Sequence, residues 1–170
     1  KIDIMLEYHS LWQLAPALKI ARQVDNFDVF WHEDPINMAY LKDLSEFRDK
    51  TLAPIAGSEA LGTSLWYRDA LALNAIDYMH YDIADGIYAP DFTMGSSIIN
   101  TVKENTKLLG HYHLMVEEPM RLFENFDLNK NEIFTIHQET SKNLHRDLIN
   151  IKNKAKVACA ISPATPLEYL

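Results

Sequence analysis

The sequence is poor in glycine, cysteine and basic residues, and each shortage excludes a class of function. Only 5 of its 170 residues are glycine, and neither a GxGxxG nor a Walker nucleotide-binding motif occurs. Its 16 Lys and Arg residues against 24 Asp and Glu give a net charge of -8, which argues against a nucleic-acid partner. The single cysteine, Cys159, excludes an intramolecular disulfide and favours a reducing compartment. No apolar run approaches the roughly 20 residues of a membrane helix, so we expect a cytoplasmic protein without a membrane partner.

Short strand-like segments alternate with segments of helical period along the whole chain. The pattern predicts strands over residues 2–9, 28–33, 54–59, 76–82, 108–115, 132–137 and 157–161, and amphipathic helices between them. A βα repeat of about 25 residues favours a TIM-type (β/α) barrel, in which functional groups lie at the C-terminal ends of the strands. A closed barrel of this type has eight strands. We therefore expect a partial or recombined barrel of about seven parallel βα units, whose open edges favour a homo-oligomer.

Three glutamates recur at equal spacing near the ends of the first three predicted strands. Glu7, Glu33 and Glu59 are each 26 residues apart, so a parallel sheet would bring their carboxylates to one edge. Such a set of oxygen ligands suits Mg²⁺, which would also relieve the repulsion between the carboxylates. The alternative is that they are ordinary solvated residues at the rim of a barrel.

The sequence motifs around these glutamates resemble those of the enolase superfamily, in its mandelate racemase and acid-sugar dehydratase branch. They are LEYHSLW at 6–12, FWHEDP at 30–35 and PIAGSE at 54–59, and the resemblance covers about residues 1–79. It implies that Glu7, Glu33 and Glu59 bind Mg²⁺, which holds the carboxylate of a sugar-acid substrate. It also implies that His9 projects into the site and acts as an acid or base.

A second group of metal-ligating residues lies further along the chain. His80 and Asp82 are two residues apart and so face the same side of one predicted strand, and His113 lies on the next strand. Two imidazoles and one carboxylate suit Zn²⁺, Mn²⁺ or Fe²⁺ better than Mg²⁺. The alternative is that these are structural histidines with hydrogen-bond partners in the protein.

The sequence motifs around this second group resemble those of the ribulose-phosphate 3-epimerase family. They include HYDIADG at 80–86, APDF at 89–92, HLMV at 113–116, TIH at 135–137 and SPATPLE at 162–168, and the resemblance covers about residues 74–170. It implies that His80, Asp82 and His113 bind one divalent metal and that Asp82 is also an acid/base in proton exchange on a sugar phosphate. It assigns no role to His111, and packing alone would account for His137.

The two resemblances meet within residues 75–82, which indicates a chimera of two barrels at equivalent positions. We expect one barrel-like domain over 1–170, with an enolase-like segment at 1–79 and an epimerase-like segment at 80–170. Both families abstract a proton next to a carbonyl with a metal holding the enediolate. Three hypotheses follow: a sugar-phosphate 3-epimerase, a Mg²⁺-dependent acid-sugar dehydratase or racemase, and an inactive chimeric scaffold. Because the Lys-x-Lys strand, the second aspartate and the phosphate loops of these families have no match here, we expect metal binding with little or no turnover.

Overall fold

The computed structural model describes residues 3–57 and 64–169. It divides the chain into two compact units, Lys1–His80 and Tyr81–Leu170. The division falls inside one strand, β4, so that strand contributes its first residues to one unit and its remaining residues to the other.

Unit 1 consists of parallel strands joined by helices. Its elements are β1 (Met5–Glu7), α1 (Leu14–Val24) with a 3₁₀ turn at Asp25–Phe27, β2 (Trp31–Glu33), α2 (Leu41–Asp49), β3 (Ile55–Gly57), α3 (Ser64–Ala72) and the start of β4 (Tyr78–Ala84). Each strand pairs in parallel with the next one along the chain. This order brings the C-terminal ends of β1, β2 and β3 to one edge of the sheet.

The core of unit 1 forms where the apolar faces of the helices cover the strands. Helix α1 buries Ala17, Leu18 and Ala21, which are spaced to lie on one helical face. Helix α2 buries Leu44 and Phe47 in the same way. All three residues of β2 and all three of β3 are buried, as expected for parallel strands covered by helices.

Unit 2 repeats the same βα pattern. After the end of β4 it contains α4 (Ser96–Glu104), β5 (Leu109–Met115), α5 (Pro119–Phe123), β6 (Ile133–His137), a 3₁₀ turn at Gln138–Thr140, α6 (Leu144–Lys152), β7 (Lys156–Ala160) and a 3₁₀ turn at Leu167–Tyr169. Strand β6 pairs in parallel with both β5 and β7. The core of unit 2 is aromatic. Its rings pack with centroids 5.1 to 6.1 Å apart, and they belong to Tyr112, Phe123, Phe126 and Phe134.

The predicted fold class is confirmed: the described residues contain seven parallel strands alternating with six α-helices, as in a partial TIM-type barrel. The first strands are shorter than predicted. Strand β1 ends at Glu7 rather than at residue 9, because His9 and Ser10 take left-handed backbone conformations with φ of 56° and 57°. Strand β2 ends at Glu33 as predicted but begins at Trp31 rather than at residue 28, since Asp28 takes a left-handed conformation with φ of 54°. Among the described residues, none of the helices has the length and apolar character to cross a bilayer.

A charged pair at the N-terminal side of the strands in unit 1 links helix α2 to strands β3 and β4. The Arg48 guanidinium of α2 donates to both carboxylate oxygens of Asp77, with Nε 3.0 Å from Oδ1 and 3.1 Å from Oδ2. Asp77 also accepts from the backbone N–H of Ile55, at 2.9 Å, where β3 begins. One carboxylate therefore fixes a helix and two strands, and both charged side chains are about three-quarters buried.

We predict that Asp77→Ala lowers the free energy of unfolding by about 2 kcal/mol, because it leaves a partly buried guanidinium and a backbone N–H without their acceptor. Urea denaturation followed by circular dichroism measures this loss. The matched control is Asp69→Ala, which removes an exposed pair with Arg68 and should change stability by less than about 0.5 kcal/mol. Equal effects of the two substitutions would show that Asp77 does not have this role.

Candidate functional site

Two of the three predicted glutamates lie side by side in unit 1. Glu7 and Glu33 are direct partners in the β1–β2 register and both end their strands. Although residue Glu7 is exposed, neighbouring atoms exclude water from part of its carboxyl, and the Glu33 carboxylate repels it. These effects raise the pKa of Glu7 from 4.5 to about 9, so it is protonated at neutral pH and hydrogen bonds with Glu33. Glu59, the third predicted ligand, lies outside the described residues.

Glu33 is paired with a histidine from the other predicted ligand set. His80 Nδ1 lies 2.8 Å from Glu33 Oε1, and both side chains are at least nine-tenths buried. The second oxygen, Oε2, accepts from the indole N–H of Trp31 at 3.0 Å. A carboxylate with these partners is held in one orientation at the end of β2. In the sequence analysis Glu33 and His80 belong to different metal sites, whereas in unit 1 they form one hydrogen-bonded pair.

His9 lies beside this pair of carboxyls on the exposed side. Its backbone N–H donates to the Glu7 carboxyl, and its left-handed conformation turns the chain away from β1. The residue is exposed. Its predicted acid or base role stays a prediction.

His32 is a buried histidine of unit 1 to which the sequence analysis assigned no role. The Tyr8 hydroxyl lies 3.0 Å from its Nδ1, and Tyr8 and Phe47 both pack edge-on against its ring. Burial lowers its pKa, so His32 is neutral in the folded chain. It faces away from Glu33, the next residue along β2, and its contacts are those of a core side chain.

In unit 2, Asp82 and His113 are brought together as the sequence analysis predicts. Asp82 lies on β4, His113 on β5, and Asp82 Oδ1 is 2.7 Å from His113 Nδ1. Both side chains are about four-fifths buried. A carboxylate and an imidazole at this distance form a charge-assisted hydrogen bond, and the same two atoms are also suitable metal ligands.

A chain of hydrogen bonds continues from His113 away from Asp82. His113 Nε2 lies 2.9 Å from His137 Nε2, and the two rings stack with centroids 5.1 Å apart. His137 Nδ1 lies 2.9 Å from the Tyr88 hydroxyl, which is 2.8 Å from Ser162 Oγ and 3.3 Å from Glu139 Oε2. His137 therefore does more than pack.

The sequence analysis missed Tyr88, Glu139 and Ser162 as part of this site. A signal for Glu139 is its place two residues after a strand-end histidine, in HQE at 137–139. Ser162 follows β7 in the same way. Tyr88 lies in the loop after β4, and its sequence context carries no signal for a contact with residues 49 and 74 positions away.

The electrostatics of this hydrogen-bond chain favour a neutral His137 and a charged Glu139. Burial lowers the pKa of His137, and the neighbouring His113 lowers it further. Partial burial would by itself raise the pKa of Glu139, but hydrogen bonds from the Thr165 hydroxyl and the Ser162 backbone N–H outweigh it and hold the pKa at about 2. Glu139 is thus a carboxylate at any physiological pH.

His111, which has no counterpart in the resemblance, has a structural explanation in unit 2. Its side chain is buried, its Nε2 lies 2.8 Å from the Thr135 hydroxyl on β6, and its ring stacks on that of His113 at 6.2 Å. The contact with Thr135 orients the ring, and the stack helps to hold His113 in place.

Comparison with known proteins identifies both halves of the chain. Residues 66–170 match the ribulose-phosphate 3 epimerase family, and residues 1–86 match the enolase C-terminal domain-like family. The chain belongs to both families. Their matched ranges overlap at residues 66–86, which include all of β4 and so both His80 and Asp82. This overlap is what a recombination of two barrels at equivalent strands produces.

Individual relatives include both epimerases and enolases. The chain is 36% identical over 97 residues to a ribulose-phosphate 3-epimerase from Synechocystis, a match over 55% of this chain and 42% of the relative. It is 32% identical over 127 residues to the epimerase from Treponema pallidum, with 72% of this chain and 57% of the relative covered. Among solved structures, an enolase of the mandelate racemase subgroup from Agrobacterium tumefaciens matches with a TM-score of 0.60 and 28% identity, over 95% of this chain and 38% of that one. The chain thus spans about half the length, or less, of these epimerases and the enolase.

We predict that Glu7→Gln removes a pH dependence of stability in the enolase-like unit. Because the folded-state pKa of Glu7 is raised from 4.5 to about 9, its neutral form stabilises the fold fully below 4.5, and this contribution is lost as the pH rises towards 9. Glutamine is neutral at every pH. The free energy of unfolding of the wild-type chain, relative to that of Glu7→Gln, should therefore decrease as the pH is raised from 4.5 to about 9.

Urea denaturation of chelator-treated protein at several pH values measures this difference. Glu46→Gln is the matched control, since Glu46 lies on α2 and pairs with Lys50 at the exposed surface. A constant difference between the wild-type chain and Glu7→Gln across the range would contradict the prediction.

Proposed function

We propose that the epimerase-like unit binds a divalent transition metal, Zn²⁺, Mn²⁺ or Fe²⁺, through Asp82 and His113, and that this supports proton exchange next to a carbonyl group. The observation that carries the proposal is the 2.7 Å approach of Asp82 Oδ1 and His113 Nδ1. The chain's membership of the ribulose-phosphate 3 epimerase family supports it. His80, two residues before Asp82 on β4, remains the proposed third ligand from the family resemblance.

The two donor atoms fit a metal ion after a small opening. Metal bonds to imidazole nitrogen and carboxylate oxygen are close to 2.1 Å, which places adjacent ligand atoms of a tetrahedral site about 3.4 Å apart. The observed 2.7 Å is the length of a hydrogen bond, so the two atoms would have to separate by about 0.7 Å to hold a cation.

The chemistry divides between the metal and the chain. A bound divalent cation supplies a Lewis acid that stabilises negative charge on a substrate carbonyl oxygen. Asp82 takes the proton from the neighbouring carbon as a general base. His113 would be the second metal ligand through Nδ1, and His137 holds the His113 ring through Nε2. We propose a sugar phosphate as the substrate, from the epimerase family, with a sugar acid as the alternative.

A second candidate function is a Mg²⁺ site in the enolase-like unit. It is favoured by the adjacent carboxyls of Glu7 and Glu33, whose mutual repulsion a cation would relieve. Glu59 is the proposed third ligand. The His80–Glu33 hydrogen bond opposes this site, because it already uses one Glu33 oxygen. A third candidate is a chimeric scaffold that binds metal without turnover.

We predict that Zn²⁺ or Mn²⁺ raises the melting midpoint of the chelator-treated chain. Binding to the folded state adds about 2.7 kcal/mol at a concentration one hundred times the dissociation constant. His113→Gln should abolish the shift, and His145→Ala should keep it, because His145 is an exposed histidine on α6. A Mg²⁺-specific shift that Glu33→Gln abolishes would instead support the second candidate. The absence of a shift with every metal would contradict both.

We predict that the Mn²⁺-loaded chain incorporates deuterium from D₂O into ribulose 5-phosphate at the carbon next to the carbonyl. Asp82→Asn should lower the exchange rate by about 100-fold or more, since it removes the general base. Proton NMR of the recovered sugar measures the exchange, with metal occupancy checked for both proteins. Exchange that Asp82→Asn leaves unchanged would exclude this role of Asp82. No exchange at full occupancy would support the scaffold.

A further inference from the structure

We infer that unit 1 binds a small organic cation, of the quaternary ammonium class, in a cavity between the loops that follow β1 and β2. The cavity has a volume of about 340 Å³, which lies in the lower part of the range for small-molecule sites. Its lining combines two aromatic rings with one carboxylate, and it includes Trp12, Tyr40, Asp43, Gln13 and Asn37. This inference goes beyond the proposed function and does not depend on it.

Two aromatic side chains line this cavity while keeping much of their surface accessible to solvent. Trp12 is 42% exposed and Tyr40 is 63% exposed, whereas the other two tryptophans, Trp31 and Trp66, are more than nine-tenths buried. The face of an indole or phenol ring carries negative charge and attracts a cation, and quaternary ammonium groups are recognised by such rings. The exposure of both rings leaves them available to a ligand of this class.

The backbone around Asn37 holds the two aromatic residues beside the cavity. Asn37 donates its N–H to the carbonyl oxygen of Trp12 at 3.1 Å, which joins the two loops. The Asn37 carbonyl oxygen accepts from the backbone N–H of Tyr40 at 3.0 Å, and its side-chain Oδ1 accepts from the backbone N–H of Ala39 at 3.0 Å. Because these contacts already fix the loops, a ligand that enters the cavity has little backbone to order, which lowers the entropy cost of binding.

The charge at the cavity favours a cation over a neutral or anionic ligand. Asp43 lies in the first turn of α2, where it is exposed and contributes its carboxylate to the lining. Among the described residues that line the cavity, none is Lys, Arg or His, so no basic side chain there competes with a ligand for this carboxylate. The net charge of -8 on the whole chain also attracts cations. A ligand with a positive charge and apolar methyl groups therefore suits both the rings and the carboxylate.

Titration of the ¹⁵N-labelled chain with choline, followed by NMR, tests this inference. We expect a saturable shift of the Trp12 indole N–H signal and none of the buried Trp31 signal. The neutral isostere dimethylbutanol, in which carbon replaces the quaternary nitrogen, should bind about tenfold more weakly. Tyr40→Leu should raise the dissociation constant for choline about threefold or more, whereas Tyr40→Phe keeps the ring and should leave it unchanged. Asp43→Asn should also weaken binding and make it less sensitive to salt.

Asp49→Asn is the matched control for Asp43→Asn, because Asp49 is an exposed aspartate at the other end of α2 and should leave the dissociation constant unchanged. Equal affinities for choline and dimethylbutanol would show that the cavity selects apolar shape and not charge, and would overturn the inference. The absence of choline binding would overturn it too, as would a dissociation constant that neither Tyr40→Leu nor Asp43→Asn changes. These results leave the proposed function unaffected, since Asp82 and His113 lie in unit 2.

Discussion

Parallel strand pairing is the constraint from which the polar chemistry of this chain follows. In each unit consecutive strands run in the same direction, so side chains at their C-terminal ends collect at one edge. In the enolase-like unit this places Glu7 directly beside Glu33. In the epimerase-like unit it places His113 on β5 beside His137 at the end of β6. Neither arrangement needs a specialised loop.

Placing ionisable groups close together at a partly buried edge is unfavourable in free energy, and the two units reduce this penalty in different ways. In the enolase-like unit one carboxyl is neutralised, since the pKa of Glu7 rises to about 9, while Glu33 accepts from the Trp31 indole and contacts His80. In the epimerase-like unit the polar side chains form a hydrogen-bond chain with Asp82 at one end and the charged Glu139 at the other.

The division between the two families does not coincide with a division of the candidate sites. His80 belongs to the epimerase motif, yet its Nδ1 hydrogen bonds to Glu33 of the enolase motif inside unit 1. Recombination at equivalent strands preserves the backbone pairing, but a side chain at the junction meets the neighbours of the other parent. His80 therefore has a hydrogen-bond partner from the enolase motif, while Asp82 and His113 contact each other within unit 2.

The sequence by itself determined the alternation of seven strands with helices, the two family segments and the pairing of Asp82 with His113, because hydrophobic period and local motifs encode them. The early end of β1 and the late start of β2 were not predictable, since they depend on left-handed residues such as His9 and Asp28. Only the tertiary structure decided the partner of His80 and the chain through His137, Tyr88 and Ser162. Those contacts join residues 47 to 74 positions apart, and they depend on register and side-chain rotamers that no local pattern of residues specifies.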